Sequence, residues 1–266
     1  MAKTLFDLDG SQLILIADGT YLYCEKSENS DTQRKLYSSQ KKRHLIKPFV
    51  IVAENGVIIG IYGPFSATTN DAKILELILR DDSALKNLIN KKDVMVLDRG
   101  FRDVIKHLEQ DHELITLMPS CSLEKQLTTI QANCTRMVTK IRNVIERKNG
   151  IFKMYAALEK CRNSQLTHIT QDFKIVAAIQ NCFFAALYSD KHDCKEIALL
   201  MKQNLNKPNQ LLSYITNSRA IKEKCFIKID AFTISDFPKI LYNDFYKYIT
   251  NGLYLTYYYF FFRDYI

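Results

Sequence analysis

No two cysteines of this chain are spaced C-x-x-C, no G-x-x-x-x-G-K-[S/T] loop occurs, and no apolar run approaches the ~20 residues of a membrane-spanning helix. Each absence removes a class. The seven cysteines (24, 121, 134, 161, 182, 194 and 225) are odd in number and unpaired in spacing, so they read as reduced thiols rather than a disulfide framework. The missing phosphate loop excludes nucleotide hydrolysis of the P-loop type. LYLTYYYFFF at 253–262 is about half a bilayer span, and MAKTLFDLDG lacks a basic-then-apolar signal segment, so a soluble intracellular chain is expected. His107 and His112, five apart, have no helical reason to share a face as zinc ligands, and no serine or cysteine sits on a strand–turn–helix elbow.

What remains is a globular composition, 47% apolar and 25% charged, over 266 residues, enough for one large domain with a smaller appendix. Residues 1–190 read as the main domain and 191–266 as a helical or irregular extension. Lys and Arg outnumber Asp and Glu by 37 to 29, a net charge of +8 that favours polyanionic partners.

QLILIA at 12–17 is a nearly continuous apolar run stopped by Asp18-Gly19-Thr20, the pattern of a strand buried on both faces. LIKPFVIVA (45–53) and VIIGIYG (57–63) flank Glu54-Asn55-Gly56 and predict an antiparallel hairpin. Asp71 is placed to cap the helix AKILELILRDD, which SALKNLI continues. DVMVLD (93–98), FRDVIKHLEQ and ELITLMP (113–119) read as strand, helix and strand, which implies parallel pairing. From Thr128 to about Lys148 neither proline nor glycine occurs, and Met137, Ile141, Val144 and Ile145 recur at helical spacing. Segments 172–188 and 195–205 predict further helices, whereas 237–266, rich in Tyr and Phe, shows no periodicity. The element order fits a mixed sheet flanked by helices, the order of the ribonuclease H-like α/β fold.

Two acidic turns compete for a catalytic aspartate. Asp7 and Asp9 in FDLDGS resemble a dehalogenase-type nucleophile loop, with Asp98 and Asp103 as its acidic pair, but only Thr4-Leu5-Phe6 precede Asp7, too little strand to hold it. Asp18 ends a full buried strand, Asp98 ends another, and Glu146 lies in the long helix with 47 residues between it and Asp98. Carboxylates from two strand ends and a helix make an all-oxygen set suited to Mg²⁺ or Mn²⁺, and an ion pair about 3.5–4 Å apart can cut a phosphodiester.

ADGTYLYCEKS, YSSQKKRHLIKPFVIVAENGVIIGIYGPFSATTNDAKIL, VLDRGFRD and TRMVTKIRNVIERKNGIFK, in that order, resemble the DDE superfamily endonuclease domain of Harbinger-like transposases, from about residue 12 to about 188. The resemblance implies Asp18, Asp98 and Glu146 as a catalytic, metal-binding triad holding Mg²⁺ or Mn²⁺, two ions, with Asp71 as a secondary acid of structural role. It also implies a DNA substrate and a nuclear location. Only 17 residues precede Asp18, too few for the helix-turn-helix region of such transposases, so a separate DNA-binding protein is expected to supply recognition. A homo-oligomer stays open, and so does a co-opted, catalytically silent DNA- or protein-binding module.

Basic residues supply the remaining signal. Arg34, Lys35, Lys41, Lys42, Arg43 and Lys47 form a run without an acid, and Lys41, Lys42 and Arg43 are the expected DNA contacts within it. On the long helix Arg142, Arg147 and Lys148 flank Glu146 and join that set, and Arg136, Lys140, Asn143 and Arg147 share one face.

Overall fold

The computed structural model describes residues 1–121, 126–184, 194–211 and 213. One compact unit spans Met1–Pro208, and a second begins at Asn209. In chain order the elements are α1 (Ala2–Leu5), β1 (Ile14–Gly19), β2 (Leu22–Cys24), α2 (Ser30–Leu36), β3 (Tyr37–Ser38), β4 (Arg43–Ala53), β5 (Ile58–Ser66), α3 (Asp71–Asp81), α4 (Ser83–Leu88), β6 (Val94–Val96), α5 (Ile105–Gln110), β7 (Ile115–Leu117), α6 (Thr129–Lys153), α7 (Ala156–Glu159), β8 (Lys160–Cys161), α8 (Ile169–Phe183) and α9 (Cys194–Gln203). The 237–266 stretch and the end of the 172–188 segment lie outside the described residues.

The strands form a mixed sheet in the order β7-β6-β1-β4-β2-β8, with β5 and β3 also paired to β4. β1, β6 and β7 run parallel, as the strand–helix–strand reading implies, and β4 crosses antiparallel to β1 and β5. The hairpin turns at Gly56, whose φ of 84° a side chain would strain.

Strand parity sorts the core into two layers. Ile14 and Ile16 of β1, Val50 and Val52 of β4, and Val94 and Val96 of β6 pack beneath Met137, Val138, Ile141, Val144 and Ile145 of α6. Leu15 and Ala17, Phe49 and Ile51, and Met95 and Leu97 point the other way, under Ile74, Leu75 and Ile78 of α3. Helices therefore cover both faces, and the alternation continues past the strand ends: Asp18 follows the α6 parity and Gly19 the α3 parity. α6 starts on a capping box between Thr128 and Gln131, and it runs through Gly150 to Lys153.

Three local readings are corrected. Asn70, not Asp71, caps α3 by accepting from the Ala72 N–H, which leaves Asp71 as its first residue. Asp82 ends α3 and caps a separate helix, so SALKNLI does not continue it. Residues 99–104 are a 3₁₀ turn rather than the start of α5. The compact unit that begins at Met1 includes α9, whose Ala198 packs on the same core as Ala2 and Leu5 of α1. Among the described residues no helix is long and apolar enough to cross a membrane.

Candidate active site

At the C-terminal end of β1 the α6 parity turns Asp18 toward the long helix, where the Asn149 side-chain amide donates to its Oδ2 at 3.2 Å. Asp98 follows β6 and caps the 3₁₀ turn, its Oδ1 accepting from the Gly100 N–H at 2.6 Å. Glu146 stands on α6 one turn before Asn149, and its Oε1 accepts from the Arg142 guanidinium at 3.2 Å. Each acid thus has one oxygen held by an N–H donor. Asp18 Oδ1, Asp98 Oδ2 and Glu146 Oε2 accept no hydrogen bond among the described residues.

Negative charge is in excess here. Burial first, and then the carboxylate of Glu146, push the Asp18 carboxyl up to about 7; Arg142 opposes the shift, and Asp98 and Asp71 add to it. Arg142 bridges the other two acids, with Nη2 at 3.2 Å from Glu146 Oε1 and 3.9 Å from Asp98 Oδ2. Among the described residues no three His, Cys, Asp or Glu side chains stand close enough to close on one ion. A guanidinium occupies the space between two of the acids.

A family model described as DDE superfamily endonuclease matches residues 17–181, from the end of β1 through α8. That span covers more than half of the chain and takes in Asp18, Asp98 and Glu146. The chain belongs to the DDE superfamily endonucleases. No curated protein and no solved structure matches it.

On the other face of this endonuclease domain, Asp71 reaches the same strand end from the first residue of α3. Its carboxylate pairs with Lys47 Nζ at 3.1 Å, and that ammonium also donates to the Thr69 carbonyl at 2.7 Å and lies 4.9 Å from the centre of the Tyr21 ring. Lys47 is 3% exposed. Burial raises the Asp71 carboxyl, and Lys47 pulls it back. The fit depends on Gly19, since a Cβ there would lie 2.3 Å from Asp71 Oδ1.

The basic residues of the domain divide. Lys41, Lys42 and Arg43 are exposed at the start of β4, and Arg43 stacks on Tyr23 at 5.0 Å from its ring centre. Arg136, Asn143 and Arg147 face solvent on α6. Lys148, grouped by sequence with the DNA contacts, is instead 3% exposed, and burial lowers its ammonium. Arg142 points into the acids rather than outward. Asp7 and Asp9 lie on an exposed turn between α1 and β1, Asp7 paired with Lys202 and Asp9 with Ser11, so no strand backs the dehalogenase-type reading. Asn149 and Lys153 were not singled out from sequence. Lys153 senses Glu146, Asp18 and Lys41, and burial lowers its ammonium. The signal was the spacing: three and seven residues beyond Glu146 both fall on its helical face.

Proposed function

We propose that residues 17–181 are a ribonuclease H-like catalytic domain of the Harbinger-like transposase type, cleaving DNA phosphodiesters with Asp18, Asp98 and Glu146 as its triad. The observation that carries this reading is the charge excess: of three carboxylates, from the ends of β1 and β6 and from α6, one guanidinium pairs with Asp98 and Glu146, and Asp18 is raised to about 7. A purely structural cluster would be paired acid to base, because an uncompensated buried charge is costly.

The donor set fits a hard divalent cation. All three ligands are carboxylates, and Asp18 and Asp98 each have one oxygen anchored by an uncharged N–H donor, the support that aims the other oxygen. Asp18, Asp98 and Glu146 would hold Mg²⁺ or Mn²⁺, two ions, which would activate a water and neutralise the leaving oxygen. Asn149 and the Gly100 N–H orient two of the carboxylates. Closure needs side-chain rotation by Glu146 and Asp98, which are 55% and 38% exposed and so have room to turn. Lys41, Lys42, Arg43 and Arg147 neutralise the DNA backbone beside the acids.

Nicking of supercoiled plasmid by the full chain in Mg²⁺ or Mn²⁺ tests the reading. Asp98→Asn keeps the cap on the 3₁₀ turn but loses a charge, and is expected to cut nicking by roughly 10²–10³-fold, as for loss of one preorganised charge-stabilising group, with DNA binding intact. Wild-type chain that binds DNA and does not nick it with either ion is a silent binding module instead.

A further inference from the structure

Arg142 is poorly placed for an ordinary helix-surface pair. Its side chain is 14% exposed while its partner Glu146 is 55% exposed, so the cation is the buried member. Its Nε is buried and donates to nothing among the described residues, although a guanidinium offers five N–H donors and is usually satisfied when enclosed. What holds it is charge. Nη2 reaches Glu146 Oε1 at 3.2 Å on its own helix and Asp98 Oδ2 at 3.9 Å across from β6. Lys153, on the same face of α6, senses Glu146 and Asp18 but forms no ion pair with either among the described residues, so Arg142 is the base that joins Asp98 to Glu146.

We propose that Arg142 is a built-in counter-ion that holds Asp98 and Glu146 in the metal-free protein and must give up both carboxylates when the metal loads. The inference rests on the triad reading above. Its physical content is competition: the guanidinium and a divalent cation claim the same carboxylate oxygens, and the positive charge repels the incoming ion. Arg142 therefore lowers metal affinity while it stabilises the empty site. It is a positioning residue, acting through the two acids.

The test is Mn²⁺ binding to the full chain, measured by calorimetry without DNA. Arg142→Gln is expected to bind Mn²⁺ about tenfold more tightly, since one unit charge about 4 Å from the ligands is removed in a partly solvated site. Its melting temperature without metal should fall below wild type, and saturating Mn²⁺ should raise it by more than in wild type. Arg142→Lys, which keeps the charge, should stay near wild-type affinity. A second measurement needs no variant: the Arg142 Nε–H signal of the wild-type chain, followed by NMR, should shift as Mg²⁺ saturates the site. Equal or weaker Mn²⁺ binding by Arg142→Gln overturns the proposal, as does an Arg142 signal that stays put while Mg²⁺ binds. If the wild type binds neither ion, or Asp98→Asn and Glu146→Gln leave its metal binding unchanged, the triad reading fails and takes this inference with it.

Discussion

On the α3 face of the sheet, Asp71 meets an ammonium reserved for it; on the α6 face, one guanidinium pairs with both Asp98 and Glu146, and Asp18 has no ion-pair partner among the described residues. Both groups sit at the same end of β1, one residue apart in strand parity. The α3 side is closed: Lys47 is buried, its charge is met by Asp71, the Thr69 carbonyl and the Tyr21 ring, and Gly19 leaves the space that admits the carboxylate. The α6 side is open, with acids that repel one another and oxygens without a donor. A matched pair fixes a backbone; an unmatched group of acids leaves negative charge that a further cation could meet. Acids adjacent in space can thus differ in kind, and local charge balance tells them apart better than proximity does.

The largest effect expected from this contrast is at the closed side. Asp71→Asn leaves the Lys47 ammonium buried without its counter-ion, and urea unfolding should show a loss of about 3 kcal/mol, toward the lower end for a broken buried pair because Asp71 is itself partly exposed. Mn²⁺ binding should persist and weaken only slightly, since Asp71 adds to the charge around Asp18 without holding the site. A loss too small to measure, or a loss of metal binding, would erase the distinction between the faces.

Comparable in size is a pH dependence at the open side. Asp18 is raised to about 7 in the folded protein, while an unfolded aspartate titrates near 3.9. The folded state therefore binds this proton more tightly than the unfolded chain does. The resulting stability is complete below about pH 4 and is lost as pH rises toward 7. In metal-free protein the fall across that window should be about 2–4 kcal/mol. Asp18→Asn should flatten it and should stabilise the empty protein at pH 8, the opposite sign from Asp71→Asn. If both variants destabilise, Asp18 is a structural acid like Asp71.

The smallest effect concerns the surface beside the open side. Replacing Lys41, Lys42 and Arg43 with Ala should reduce the slope of log affinity for duplex DNA against log salt by about 0.9 for each phosphate that is no longer neutralised. An unchanged slope would return these residues to a solvated turn and place the DNA elsewhere on the α6 side.

Much of this was legible. The apolar run ahead of Asp18, the Asn-Gly hairpin and the three- and four-residue spacing in 128–148 each correspond to an element, because burial on one or both faces writes its period into the chain. The short strands β2, β3 and β8 left no such trace: unlike β6 and β7 they lie in no apolar run, and β2 pairs with a segment more than 130 positions away. Lys148 could have been set apart, since two residues beyond Glu146 is about 200° around the helix. Its grouping with Arg142 and Arg147 followed charge and ignored direction.

The sequence alone determined β1, the β4–β5 hairpin, β6 and β7 and the two helical covers of the sheet, and which acids stand at strand ends, since periodicity and turn chemistry act over a few neighbouring residues. Only the tertiary structure decided that Asn70 rather than Asp71 caps α3, that Lys47 belongs to Asp71, and that Arg142 turns inward between Asp98 and Glu146. Those choices depend on which face of α3 and α6 meets β1 and on how much water is left there. Burial and distance set the strength of a charge pair, and neither is written in the local order of residues.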